Sequence, residues 1–203
     1  ITFAASGKYA GNLVIVDVNV DEVFVSNTSG LHQDQFDTAF VSGSPYGITF
    51  NSATENFHVA DETSDEVFGL NADGDLFDVF STNVFGSSNP VGITYISSGP
   101  LANNYAIVDA TSDTVYFVNS DGDEQDSCTL PAGANDPKGI AFIPSDGNFA
   151  VVDSTDDEIY IIDSTCTLQE QLDLATFGIN APSPNGIDYD PDGDNFVVVD
   201  NSK

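Results

Sequence analysis

Short runs of apolar residues alternate with polar, Gly- and Asp-rich interruptions along the whole chain, and the alternation repeats. The pattern Pro-x-Gly-Ile occurs at Pro45, Pro90, Pro137 and Pro184, with successive spacings of 45, 47 and 47 residues. Each Ile opens a tripeptide, Ile48-Thr49-Phe50, Ile93-Thr94-Tyr95, Ile140-Ala141-Phe142 and Ile187-Asp188-Tyr189, and the chain itself starts Ile1-Thr2-Phe3. Downstream of each lies a β-branched or aromatic run that ends in Asp: Leu13 to Asp17, Phe57 to Asp61, Tyr105 to Asp109, Phe149 to Asp153 and Phe196 to Asp200. A polar loop and a third apolar run follow in four copies, at Glu22 to Val25, Glu66 to Leu70, Thr114 to Val118 and Glu158 to Ile162, then a looser alternation such as 76–80 or 168–174. Runs of this length, rich in Val, Ile, Phe and Tyr and bounded by Gly, Asn and Asp, predict strands, and no segment sustains the 3.6-residue period of a helix.

Four short antiparallel strands, a to d, in each repeat predict one blade of a β-propeller. The expected fold is therefore all-β, a single domain over 1–203, with blades at 1–44, 45–89, 90–136 and 137–183 and strands a and b of a fifth at 184–203. Asp73-Gly74, Asp121-Gly122, Asp146-Gly147 and Asp192-Gly193 mark the hairpins, where a tight turn with both central residues at positive φ is expected. The half-blade leaves three arrangements open: a piece of a longer five- or six-bladed ring, completion by another chain, or an open arc.

The segment Asp153-Ser-Thr-Asp-Asp-Glu-Ile-Tyr-Ile-Ile-Asp163 resembles the core of an NHL repeat, and the same frame fits Asp17 to Asn27, Asp61 to Asn71 and Asp109 to Asn119. Leu13 to Asp17 also spells the signature of the LVIVD-repeat surface proteins. The loop position that is often basic in NHL repeats is Glu22, Glu66, Thr114 and Glu158 here. The resemblance implies a propeller and leaves its use open, because such folds host binding, scaffolding and catalysis alike.

Charge narrows the use. Asp and Glu total 33 against 3 Lys and Arg, a formal net charge of −30, and the lysines are Lys8, Lys138 and Lys203. A chain so acidic is a poor ligand for nucleic acids or anionic membranes, and no apolar stretch is long enough to insert into a bilayer. The apolar fraction of 40% still supports a core, and an acidic skin suits a saline, extracellular setting, prokaryotic and at the cell surface or secreted, where counterions screen self-repulsion. With no Met in the chain, Ile1 is expected to be a product of processing. Two cysteines, Cys128 and Cys166, allow one disulfide between neighbouring blades or two free thiols.

Candidate chemistry is carboxylate chemistry. The b–c loops repeat Asp-x-x-x-Asp at Asp17/Asp21, Asp61/Asp65, Asp109/Asp113 and Asp153/Asp157, a crown able to collect a hard cation such as calcium. The alternative is that an Asp closing strand b accepts amide hydrogen bonds from its own loop. On the opposite face, the acidic run Asp188-Tyr-Asp190-Pro-Asp192-Gly193-Asp194 offers carboxylates for calcium and matches the first, third, fifth and sixth positions of an EF-hand loop, but Val199 stands where the bidentate Glu belongs. His58 falls within a strand and His32 in an acidic connection, and neither has a nucleophile at a motif-like spacing. The expected function is a non-enzymatic propeller for interaction or structure, binding a protein or carbohydrate partner or self-associating through the incomplete blade. The rival is a metal-dependent hydrolase or lyase with a site in the central channel, as in gluconolactonase-like propellers.

Overall fold

The computed structural model describes residues 1–39, 43–177, 183–191 and 193–201. Its strands form five antiparallel sheets in chain order. The first holds β1 (Thr2–Ala4), β2 (Asn12–Asp17), β3 (Glu22–Asn27) and β4 (His32–Asp37); the second β5 (Pro45–Asn51), β6 (Asn56–Asp61), β7 (Glu66–Leu70) and β8 (Leu76–Ser81). The third holds β9 (Pro90–Tyr95), β10 (Tyr105–Asp109), β11 (Thr114–Val118) and β12 (Glu124–Thr129); the fourth β13 (Pro137–Ile143), β14 (Asn148–Asp153), β15 (Glu158–Ile162) and β16 (Leu168–Asp173). The fifth has two strands, β17 (Pro184–Asp190) and β18 (Asn195–Asp200). The inner strand β1 touches both β5 and β17, so the blades close into a ring rather than an open arc.

Core packing lies between blades. Val14, Val23 and Val25 of the first blade pack on Phe57, Val59 and Leu70 of the second, and Val115 and Phe117 of the third on Phe149, Tyr160 and Ile162 of the fourth. The second, third and fourth blades thus bury both faces of their middle strands, which explains why β10 reads as an unbroken apolar run instead of an alternating one.

The Pro-x-Gly motif acquires a physical reason. Pro45 pairs with Asp61 and Gly47 with Ala60, so the residue between them is bulged out of the ladder, and the same shift recurs at Pro90, Pro137 and Pro184. Proline tolerates that place because it has no N–H to pair. Glycine is required by contact: a Cβ on Gly47 would sit 2.9 Å from Gly92 Cα, one on Gly92 2.9 Å from Gly139 Cα, and one on Gly139 3.1 Å from Gly186 Cα. From β5 through β9 and β13 to β17 the inner strands meet glycine to glycine, whereas a Cβ on Gly186 would face Ile1 at 3.4 Å.

The hairpins differ from the expectation. Gly74, Gly122 and Gly147 take positive φ (86°, 81° and 80°), but their preceding aspartates do not, and at the last hairpin Asp194 rather than Gly193 is left-handed, at φ 51°. The c–d loops are longer than a two-residue turn. Asn71 Oδ1 accepts from the amides of Asp73 and Asp75, the Gly74 amide donates to the Asn71 carbonyl, and a bulge at Gly69/Leu70 absorbs the extra residue. Such a loop needs one left-handed residue, not two.

Cys128 of β12 and Cys166 of the β15–β16 turn form a disulfide that staples the third blade to the fourth across 38 residues. Replacing both with Ser is expected to lower unfolding free energy by about 4 kcal/mol, the closure entropy of a loop of that size. Denaturant titration of the variant against the oxidised protein measures it.

Candidate functional site

Three places carry the chemistry: the b–c loops, the axis of the ring, and a groove beside the two-stranded blade.

In the b–c loops both aspartates of the repeated motif have backbone work. Asp61 Oδ1 accepts the amides of Thr63 and Ser64 at 2.8 and 2.6 Å, and its Oδ2 accepts the Ser44 amide at 2.8 Å. Asp109 takes the amides of Thr111, Ser112 and Asn89 and the hydroxyls of Ser87 and Ser112. Asp153 takes the amides of Thr155, Asp156 and Asp136. All three are fully buried, and each ties its own loop to the segment entering strand a. Among the described residues Asp17 accepts from Asn19 alone. Burial alone would raise the Asp109 pKa, but the hydrogen bonds from Ser112, Ser87 and Asn89 outweigh it and hold the carboxyl below the ordinary range.

The second aspartates, Asp21, Asp65, Asp113 and Asp157, are left-handed with φ between 49° and 56°, a conformation that Asp tolerates better than most residues. Their carbonyls accept the amides of Thr38, Thr82, Leu130 and Leu174. Asp21, Asp113 and Asp157 each bury one carboxylate oxygen with no hydrogen-bond donor among the described residues. Asp113 is pushed up, first by burial and then by Asp153, Asp109 and Asp136. Among the described residues no three His, Cys, Asp or Glu side chains converge into a group able to hold a metal.

At the axis, the bulged residues Tyr46, Val91, Lys138 and Asn185 line the upper mouth, where the free space is about 10 Å³, scarcely one water molecule. Lys138 is held by Asp136 at 2.7 Å, and Tyr46 Oη donates to Asn185 Oδ1 at 3.3 Å. The lower mouth encloses about 90 Å³, lined in part by Thr2, Thr49, Thr94 and Asp188. These four belong to a relay between neighbouring inner strands. Thr2 Oγ1 accepts the Phe50 amide (3.1 Å), Thr49 the Tyr95 amide (2.9 Å), Thr94 the Phe142 amide (3.1 Å), and Asp188 Oδ2 the Phe3 amide (2.5 Å). Ala141 occupies the same place in the fourth blade and offers no acceptor. Burial pushes Asp188 up to about 6 against the amides of Phe3 and Tyr189.

Asp188 therefore serves the junction between the fifth and first blades. Of its proposed companions, Asp190 accepts the Gly193 amide at 3.3 Å, Asp194 accepts the Tyr189 hydroxyl at 2.6 Å, and Asp192 lies outside the described residues. The first member of the EF-hand-like run is thus drawn toward Phe3 while Asp190 serves its own turn.

His58, 4% exposed, is the end of a chain of hydrogen bonds in which Asn51 Nδ2 donates to Tyr105 Oη (2.7 Å) and Tyr105 Oη contacts a ring nitrogen of His58 (3.1 Å). His32 lies at the start of β4, exposed, rather than in a connection. Burial holds His58 down to about 4 from 6.5. A histidine whose folded pKa is depressed stabilises the fold fully above its unfolded value, so stability is expected to fall as pH drops from 6.5 through about 4, by roughly 3 kcal/mol. His58→Phe is expected to remove that part of the acid limb in chemical denaturation from pH 7 to 4; an unchanged slope contradicts it.

The third place is a groove of about 320 Å³ between the first blade and the two-stranded fifth, with Ile15, Val16 and Phe24 on one wall and Val199 on the other. Val18, which also lines it, is 37% exposed. The sequence marks the half-blade but not this consequence, because an apolar residue in β2 or β3 reads the same whether or not a neighbouring strand covers it.

No family model matches this chain, and no curated protein does. Solved structures do. A chain in the crystal structure of a nidogen/laminin complex aligns with a TM-score of 0.67 at 17% identity, covering 98% of this chain and 70% of that one. A streptogramin B lyase gives 0.62 at 19%, covering 96% and 60%, so this chain spans about three fifths of that lyase. The glutaminyl cyclase of Myxococcus xanthus gives 0.64 at 13%, covering 93% and 91%. Binding proteins and enzymes stand side by side among these likenesses, and what they share with this chain is the β-propeller fold.

Proposed function

We propose that the chain is an interaction propeller, a rigid acidic ring that engages a polypeptide partner away from its axis. The observation that carries this reading is where space and exposed apolar surface lie. The upper mouth has about 10 Å³ free behind touching glycines, whereas about 320 Å³ opens beside the fifth blade against half-buried Ile15 and Phe24. Ligand sites are concave and mostly apolar, with a few polar groups for orientation. The nidogen/laminin likeness favours a protein partner over a carbohydrate. NHL-type kinship, a secreted or surface location and tolerance of high salt belong to the same reading, supported by the repeat frame, the disulfide and the charge of −30. Calcium would act on the unpartnered carboxylate oxygens of Asp21, Asp113 and Asp157; stabilisation by millimolar calcium beyond that of matched NaCl tests it.

One observation favours the enzymatic alternative. Asp188 is the single charged residue of the inner-strand relay, and its carboxyl is raised toward neutrality at the open lower mouth. Lactone and ester hydrolysis and lyase activity are measured with Mg²⁺, Mn²⁺ and Ca²⁺ for the protein and for Asp188→Asn. An interaction propeller gives no turnover in either. Turnover that Asp188→Asn abolishes while the variant remains folded overturns the reading.

A further inference from the structure

We propose that the outer edge of β8, in the second blade, receives one extended polypeptide strand in which aliphatic and basic residues alternate. The surface lies on a complete four-stranded blade, apart from the groove beside the fifth, and the proposal rests on the interaction reading in taking the partner to be a polypeptide.

The edge comes first. Each outer strand pairs on one side only, β4 with β3, β8 with β7, β12 with β11 and β16 with β15. Unpaired edges recruit further strands unless polar side chains blunt them. In all four the pairing slips by one residue, and the residue left out is Gln33, Phe77, Gln125 or Gln169. Each glutamine folds back along its own strand. Gln33 Nε2 donates to the Leu31 carbonyl at 3.0 Å, Gln125 Nε2 to that of Asp123 at 3.0 Å, and Gln169 Nε2 to that of Thr167 at 3.1 Å. Phe77 has no donor to offer the corresponding Asp75 carbonyl. Opposite the strand-c aromatic, Val79 stands where the sister strands have Gln35, Ser127 and Gln171. Three edges are covered by polar side chains, and that of β8 is apolar.

Phe77 has a place made for it. Gly69, by its pairing with Asp78, occupies the position that Val25, Phe117 and Ile161 hold in the other blades. A Cβ on Gly69 would lie 2.8 Å from Phe77 Cζ, so the glycine leaves the room in which the ring rests. There the ring stands edge-on to buried His58, with 5.9 Å between centroids. Two columns of the repeat have therefore changed together, one to glycine and one to phenylalanine, and the phenylalanine is still 51% exposed.

The two faces of β8 specify the occupant. Leu76 and Val79 pair with Leu70 and Phe68, which share one face of the blade, and they are 42% and 41% exposed. Phe77 and Asp78 both lie over Gly69 on the other face. A strand laid along this edge thus meets aliphatic groups on one face and a ring with a carboxylate on the other. Side chains alternate between faces along a strand, so the complement is Val or Ile on one side and Lys or Arg on the other, the cation facing Asp78 and resting against the Phe77 ring. Among the described residues the ion pairs are those of Lys8 with Asp34 and Asp73 and of Lys138 with Asp136, which leaves Asp75 and Asp78 without a cation. Charge also argues against a second copy, whose own β8 would bring a further Asp75 and Asp78 in a chain of net charge −30.

The test uses the intact 203-residue protein and a seven-residue peptide of alternating Lys and Val with Lys at both ends. A control peptide of the same composition has its lysines and valines grouped, so that charge is equal and only the alternation is lost. Fluorescence anisotropy at about 150 mM NaCl, where long-range attraction is screened, is expected to show saturable 1:1 binding of the first peptide and at least tenfold weaker binding of the control. Hydrogen exchange is expected to slow at least tenfold in β8 and to stay unchanged in β4, β12 and β16. Phe77→Gln restores the residue of the three sister strands and is expected to weaken binding at least tenfold. Val79→Gln, at a more weakly packed position, is expected to do the same, and melting temperatures confirm that each variant is folded. No binding up to millimolar peptide, equal binding of the control, equal protection of the other outer strands, or full binding to either folded variant overturns the proposal. Protection of β8 that appears without peptide and grows with protein concentration also overturns it, by assigning the edge to a second copy. None of these outcomes depends on turnover or on Asp188, so the proposal fails separately from the interaction reading.

Discussion

Gly92→Ala is expected to destabilise the protein by about 3 kcal/mol or to prevent folding, although it adds a single methyl group. The new Cβ would lie 2.8 Å from Val108 Cγ1, 2.9 Å from Gly139 Cα and 3.0 Å from the Ile140 amide nitrogen. Carbon atoms at rest stay near 3.5–4 Å apart, and two of the three obstacles are backbone atoms of the next blade. A side chain could swing away, but a neighbouring blade can only be pushed outward, and the ring is closed on its other side by β5. The Phe142 amide bond to Thr94 lies two residues further along the same junction and would lengthen with it. Gly147→Ala is the control. It has open space around the new methyl group but a φ of 80°, so its cost is conformational and about 1 kcal/mol. Denaturant midpoints separate the two, and equal losses would mean that the glycines of the inner strands are turn residues rather than contact residues.

That distinction marks where reading the sequence succeeds and where it stops. Periodicity is a property of single strands and their hairpins, so the five strand-b runs and their closing aspartates announce four four-stranded blades and a two-stranded fifth. The Pro-x-Gly motif announces the repeat, yet its reason is contact between residues 45 or more positions apart, which no local pattern encodes. Thr2, Thr49, Thr94 and Asp188 share one column of the aligned tripeptides. Asp188 is the visible outlier there, and grouping it with Asp190 and Asp194 because they are adjacent in sequence hides that the column, not the turn, defines its role. The Asp-Gly hairpins fail for a simpler reason. Asn27, Asn71 and Asn119 begin the c–d loops and capture amides two and four residues on, which lengthens the loop before glycine is reached. Cys128 and Cys166 could be listed as bonded or free from sequence; only the adjacency of the third and fourth blades joins them.

The same column logic gives the repeated aspartates their sharpest test. Asp109→Ala is expected to cost about 3–5 kcal/mol, the scale of removing one partner from a buried, hydrogen-bonded charge network. The substitution strips acceptors from the amides of Thr111, Ser112 and Asn89 and from two serine hydroxyls, at a position with no solvent to replace them. Asp109→Asn keeps one acceptor oxygen but turns an N–H₂ toward the Asn89 amide or the Ser112 amide, and is expected to lose about half as much. Because the folded carboxyl is held below its ordinary pKa, its contribution is complete above the unfolded value and fades as pH falls through the folded one. The gap between Asp109→Ala and the parent should therefore narrow in acid. Asp17→Ala, which loses only the contacts from Asn19 at an exposed loop, should cost about 1 kcal/mol. If the aspartates act as loop acceptors, the ranking of these variants is the same in calcium and in chelator. A loss at Asp109 that vanishes when calcium is removed from both proteins would instead make the crown of b–c loops a cation site, with hydrogen bonding secondary to it.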